Sequence, residues 1–193
     1  MNDAPVRARS ATAATWFLDV DGCLVTVGHP PRDPSVKDWN YRRYSVRVPE
    51  LKDPLIVFCA DELLLFIDQV IAMNALDILW VSRWRWNAQH HLAPVLGLPE
   101  FPVAALPEYH DLMDPKPIGD GRKWILEHTV RHALGASGRR FIWSTAALTT
   151  PVIKRLTADA VEGQGLFVPC ETGTGLTPHH LRRIAKFVGG KYE

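Results

Sequence analysis

Trp16-Phe17-Leu18-Asp19-Val20-Asp21-Gly22 is the stretch whose reading decides the fold. A short apolar run ends abruptly in a carboxylate, and a second carboxylate and a glycine follow within three residues. A buried parallel strand has this form where it delivers its C-terminal end to a site. Two carboxylates at i and i+2 on a strand end project to the same side. Held together they suit a hard, oxygen-seeking cation such as magnesium. They can also divide labour, one attacking as a nucleophile while the other moves a proton. Gly22 permits a sharp turn and leaves backbone N–H groups open to a phosphate. The same residues also fit a plain surface turn with two solvated acids, so the rest of the chain has to decide.

Outward from this stretch, apolar runs alternate with helical patterns. Residues 41–48 read as a strand or hairpin after the proline-rich loop 29–40, residues 55–59 as a strand and 61–74 as a helix. A second buried strand over 77–81 ends at Ser82-Arg83, and a helix over 87–96 is closed by Gly97. Residues 101–120 are irregular, and 121–134 carry an apolar stripe (Trp124, Ile125, His128, Ala133) at helical spacing. A third strand over 140–143, a helix over 151–161 and a fourth strand over 165–169 follow. The terminal helix, 178–188, has Thr177 as cap and Pro178 at its first position. The alternation predicts an α/β, Rossmann-like parallel sheet with helices on both faces. It forms one domain over 16–193, preceded by a loose arm over 1–15 and carrying a small insert at about 26–53.

The bulk properties set outer limits. A chain of 193 residues suffices for one domain, and 47% hydrophobic with 22% charged residues is a globular composition. A formal net charge of +1 gives no electrostatic reason to expect nucleic acid or an anionic membrane. Cys23, Cys59 and Cys170 are far apart and odd in number, suggesting neither a disulfide framework nor a thiolate zinc site. No apolar run reaches the roughly 18 residues of a membrane span. The arm has no apolar signal-peptide core. The expectation is a cytoplasmic protein.

Later features join the first motif. They are Phe17-Leu18-Asp19-Val20-Asp21-Gly22-Cys23-Leu24, then Leu79-Trp80-Val81-Ser82-Arg83-Trp84 running into Ala93-Pro94-Val95-Leu96-Gly97-Leu98-Pro99. Gly173-Thr174-Gly175-Leu176-Thr177 stands near the end, with His180 and Leu181 beyond. On these residues the chain resembles the haloacid dehalogenase-like (HAD-like) superfamily, and within it a group of small bacterial proteins, over nearly all of its length after residue 15. The resemblance implies that Asp19 is the nucleophile of an aspartyl-phosphate and Asp21 the general acid/base. Both are implied magnesium ligands, Asp21 through its backbone carbonyl. Ser82 would hydrogen-bond the phosphoryl group, with Gly22 and Arg83 beside it at the substrate. Lys123 would offset charge on Asp19 and the phosphate; Lys116 competes for that role. Such a site works by positioning and charge neutralisation.

The chain departs from the family at its fourth motif, an acidic pair closing the third strand. Thr145 and Ala146 stand there, and no Asp or Glu occurs between Glu127 and Asp159. A lost outer-shell carboxylate weakens a metal site by about 10–100-fold, a lost direct ligand by more. Two readings follow. One is a magnesium-dependent phosphohydrolase with a fairly open site, acting on a phosphorylated small molecule or nucleotide. The other is a catalytically impaired HAD-like protein that binds or regulates.

Other residues carry plainer expectations. Trp80 belongs to the core and Trp84 packs beside the site, against a stacking surface formed with Trp86. Arg42, Arg43 and Arg47 are solvated charges in preference to phosphate ligands. His90-His91 and His179-His180 diverge as helical neighbours. Cys23 packs as an apolar group. Gly173-Thr174-Gly175 is a turn before the last helix.

Overall fold

The computed structural model describes residues 14–104, 140–146, 148, 153 and 165–189. In chain order the elements are β1 (Ala14–Leu18), β2 (Thr26–Val27), β3 (Tyr41–Val46), β4 (Leu55–Ala60), α1 (Asp61–Ala72), β5 (Leu76–Trp80), α2 (Ala93–Leu96), β6 (Phe141–Thr145), β7 (Gly165–Pro169) and α3 (Pro178–Phe187). Four of the strands form one parallel sheet in the order β5-β1-β6-β7. The protein is therefore α/β, with β1 inside the sheet. The chain leaves β1 for a neighbour on one side and returns to pair on the other.

Side chains of β1 alternate between two apolar faces. Trp16 lies in register with Ile78 and Ile142, and packs with Leu18, Trp80 and Val168 on one face. Phe17 pairs in register with Leu79 and Trp143, and packs with Phe141 on the other. Apolar groups on both faces explain why the strand reads as a continuous run. Each large side chain buried this way contributes about 1.5–3 kcal/mol. The indole N–H of Trp16 is satisfied by donating to the Ser144 hydroxyl at 2.9 Å. The arm is shorter than expected, because Ala14 and Thr15 already pair with Leu76 and Asp77.

Helices α1, α2 and α3 each contribute buried residues to the cluster that contains Trp16. On α1, Leu63, Phe66, Ile67 and Val70 are buried at i, i+3, i+4 and i+7. Phe66 meets Trp16 edge-on, with ring centroids 6.3 Å apart. Asp61 and Glu62 occupy the first turn of α1, where the positive end of the helix favours acids. On the Phe17 face, Leu148 and Ile153 are described residues that join the cluster. The helices expected over 121–134 and 151–161 lie, Ile153 apart, outside the described residues.

The insert is a second sheet, antiparallel, in the order β2-β4-β3. The run 55–59 thus belongs to this sheet, which carries the insert on to Ala60 instead of residue 53. Within a short apolar run, parallel and antiparallel partners leave the same pattern. The helix expected over 87–96 also differs: Ala88–Leu92 is a π-helical turn that passes into α2. Pro94 has no N–H to give and its ring crowds the preceding turn, which widens. Gly97, at φ 73°, closes α2 as expected. Among the described residues no helix is long and apolar enough to cross a membrane.

Helix α3 starts as its sequence predicts. Thr177 Oγ1 accepts from the His180 N–H, and His180 Nδ1 accepts from the Thr177 N–H at 3.2 Å, a capping box with Pro178 at its first position. The imidazole is pushed down from 6.5 to about 4, first by burial and then by Arg183 and His179. A base held neutral in the fold contributes stability that is complete above its unfolded pKa and lost as pH falls through its folded one. His180→Gln keeps the N3 acceptor without the titration. Denaturant melts should show wild type losing stability relative to this variant between about pH 6.5 and about pH 4. A constant difference across that window would refute the assignment.

Candidate functional site

The last ladder bonds of β1 run to both neighbouring strands. The Leu18 carbonyl accepts from the Val81 N–H at 3.0 Å, and the Asp19 N–H donates to the Ser144 carbonyl at 3.0 Å. Asp19 therefore stands at the C-terminal edge of the parallel sheet, between the ends of β5 and β6. In open α/β sheets this is where ligands bind.

Asp19 and Asp21 lie past the strand, in a turn, so strand alternation is not what orients them. Specific bonds are. Asp19 Oδ1 accepts from the Val20 N–H at 2.8 Å, and Oδ2 accepts from the Thr145 hydroxyl at 2.6 Å. The Ser82 hydroxyl bonds to the same carboxylate. Asp21 Oδ1 accepts the Trp84 indole N–H at 2.8 Å. Ser82 in turn takes the Trp84 backbone N–H at 3.4 Å. Asp19 is thus held between β6 and the segment after β5, and Asp21 is held by that same segment.

Burial raises the Asp19 carboxyl above the ordinary 3.8. Bonds from Thr145, Ser82 and Val20 pull it back in part, and the charge of Asp21 adds to the rise.

The turn that follows is tightly bonded. The Gly22 N–H donates to the Val25 carbonyl at 2.9 Å, and the N–H groups of Cys23, Leu24 and Val25 all point to the Val20 carbonyl. The Gly22 amide is therefore not open to a phosphate, contrary to expectation. The requirement for glycine is real but has another cause. Gly22 has φ +64°, and a Cβ there would sit 2.5 Å from the Thr172 backbone. Gly175, at φ +78°, approaches the Cys23 carbonyl in the same way, and the Leu176 N–H donates to that carbonyl at 2.9 Å. The expected turn over 173–175 is thus a support seated on the Asp19–Val25 segment. Nothing local in either segment announces this contact across the chain.

Trp80 is fully buried and Trp84 nearly so. Trp86 is exposed and stacks on His90, with 6.1 Å between ring centroids. Arg83 is exposed. Arg42 pairs with Asp61 at 2.8 Å in an exposed bridge, which suits a solvated charge. Lys123 and Lys116 lie outside the described residues. Residue 145 does face Asp19, but as a buried hydroxyl donor, and Ala146 follows it in a turn. The part Trp84 plays was missed: its sequence position marks it as packing, and only the fold brings its N–H to Asp21.

Among the described residues no group of three or more His, Cys, Asp or Glu is placed to hold a metal. Compared with family models, curated proteins and solved structures, the chain matches none.

A buried acid with a raised folded pKa contributes stability below its unfolded pKa and loses it as pH rises through the folded value. Ionised Asp19 therefore costs stability at neutral pH. Asn can keep the Val20 bond with its oxygen and give its amide to Thr145 Oγ1. Asp19→Asn should stabilise the fold at pH 7 by about 0.5–2 kcal/mol, the size common for single stabilising substitutions. In thermal melts the gain should shrink toward acid. Destabilisation at pH 7 would show that the carboxylate is compensated.

Proposed function

We propose that this chain is a magnesium-dependent phosphohydrolase of HAD-like type, working through an aspartyl-phosphate on Asp19 in the cytoplasm. Its substrate on this reading is a phosphorylated small molecule or a nucleotide. The observation that carries the reading is the held carboxylate: Asp19 stands at the sheet's C-terminal edge, under the Thr145 and Ser82 hydroxyls. A nucleophile fixed in this way reacts without first losing orientational freedom. One Asp19 oxygen would attack phosphorus in line with the leaving oxygen, and Asp21 would give that oxygen its proton. Water would then cleave the acyl-phosphate, with Asp21 as base. The Trp84 indole keeps Asp21 from swinging onto Asp19.

The donors suit magnesium sparingly. Asp19, already carrying three hydrogen-bond donors, and the Asp21 carbonyl would hold the ion, with water completing its shell. When bound, magnesium would neutralise charge on the phosphoryl oxygens. Thr145 favours the second reading, a HAD-like protein that binds without turnover, because a neutral hydroxyl stands where the family's acid would hold the cation.

Both readings are tested with a generic aryl phosphate across a magnesium titration. The enzyme reading expects metal-dependent release that falls by on the order of 10³-fold or more in Asp19→Asn. Wild-type protein inert even at high magnesium would leave the binding reading; activity surviving Asp19→Asn would remove Asp19 as nucleophile. Thr145→Asp, alone or with Ala146→Asp, should lower the magnesium needed for half-maximal rate by about 10-fold or more. An unchanged requirement in both variants would mean that the end of β6 does not face the ion.

A further inference from the structure

Two of the three cysteines meet behind the site. Cys23 directly follows Gly22, and Cys170 directly follows the last residue of β7. Both are free and buried, and their sulfurs lie 3.0 Å apart, inside ordinary van der Waals contact. Each is fixed by its backbone. The Cys23 carbonyl accepts from Leu176 N–H, and the Cys170 N–H donates to the carbonyl of Thr145 at 3.1 Å. The pair thus bridges the turn that carries Asp21 and the strand end whose hydroxyl holds Asp19. We propose that Cys23 and Cys170 are an oxidisable pair, a modification site at which a peroxide forms a disulfide that locks the Asp19–Val25 turn to the 170–176 segment.

The geometry favours bond formation over simple packing. A disulfide needs its sulfurs about 2.05 Å apart, so the pair closes with a shift of about 1 Å. The two residues are 147 apart in sequence, a long loop whose closure constrains the unfolded chain. Cys170 is the less buried, 7% exposed against 1%, and is where a small oxidant arrives first. Its sulfur attacks one peroxide oxygen and the O–O bond breaks, leaving a sulfenic acid and one water. The Cys23 sulfur then attacks the sulfenic sulfur; the S–O bond breaks and a second water leaves. Both thiol protons end in the waters; two sulfurs are oxidised and one peroxide is reduced. Cys59, also free and buried, is a built-in control: its sulfur donates to the Leu24 carbonyl at 3.4 Å.

The test uses the full chain, exposed to hydrogen peroxide, alkylated in denaturant and mapped by mass spectrometry without reductant. The expected result is a Cys23–Cys170 cross-linked peptide lacking two hydrogens, reversed by dithiothreitol, with Cys59 alkylated. The oxidised protein should melt roughly 5 °C or more higher. Cys59→Ser should keep the cross-link and Cys170→Ser abolish it. Should Cys170→Ser fail to fold, the wild-type map decides alone. Alkylation of all three thiols after peroxide, or Cys170 oxidised to a sulfinic acid with no cross-link, overturns the proposal. Neither readout depends on phosphatase activity, so failure here leaves that reading untouched.

Discussion

The Thr145 hydroxyl bonded to Asp19 at 2.6 Å is the contact on which the rest of the site depends. A carboxylate at the inner end of a buried strand loses water, and the loss is costly unless donors replace it. Here they come from three places: the next residue's N–H, Ser82 beyond β5, and Thr145 on β6. The last two are available only because both strands run parallel to β1 and end level with it. Sheet order and site chemistry are thus a single constraint. A strand displaced by one residue would turn the donors toward the opposite face.

Support comes from below as well. The turn after Asp19 bonds to itself through the Val20 carbonyl, and the 171–176 segment closes against it at Gly22 and at the Cys23 carbonyl. Both contacts require a missing Cβ on one side. Asp21 reaches its position through the Trp84 indole, so its carboxylate is aimed by a side chain from another part of the chain. Each acid therefore has its own tether, which matters for two like charges that would otherwise repel or share a proton.

What could be read in advance follows the range of the physics involved. The strand before Asp19 was legible because Trp16, Phe17 and Leu18 bury both faces and the polarity change after them is abrupt. The start of α3 was legible because a capping box lies within four residues. Ser82 was legible as a hydroxyl just past a strand end. The sheet to which Leu55–Ala60 belongs was not, since an apolar run does not name its partner. Neither were the Trp84–Asp21 bond or the seat of residues 171–176 on the turn, which join segments distant in sequence. The π-helical turn before α2 could have been read, because Pro94 stands inside the helical pattern.

Thr145 is where fold and chemistry part. An acid at that position, facing Asp19 without a cation between them, would place two buried negative charges together, an arrangement that demands a bound ion or a shared proton. A hydroxyl makes no such demand. It satisfies Asp19 without any cation, so the folded state needs no ion to hold that carboxylate. On the phosphohydrolase reading, a hydroxyl there also attracts the ion less than an acid would. On that reading, the ion then enters with substrate, held by phosphoryl oxygens as much as by protein.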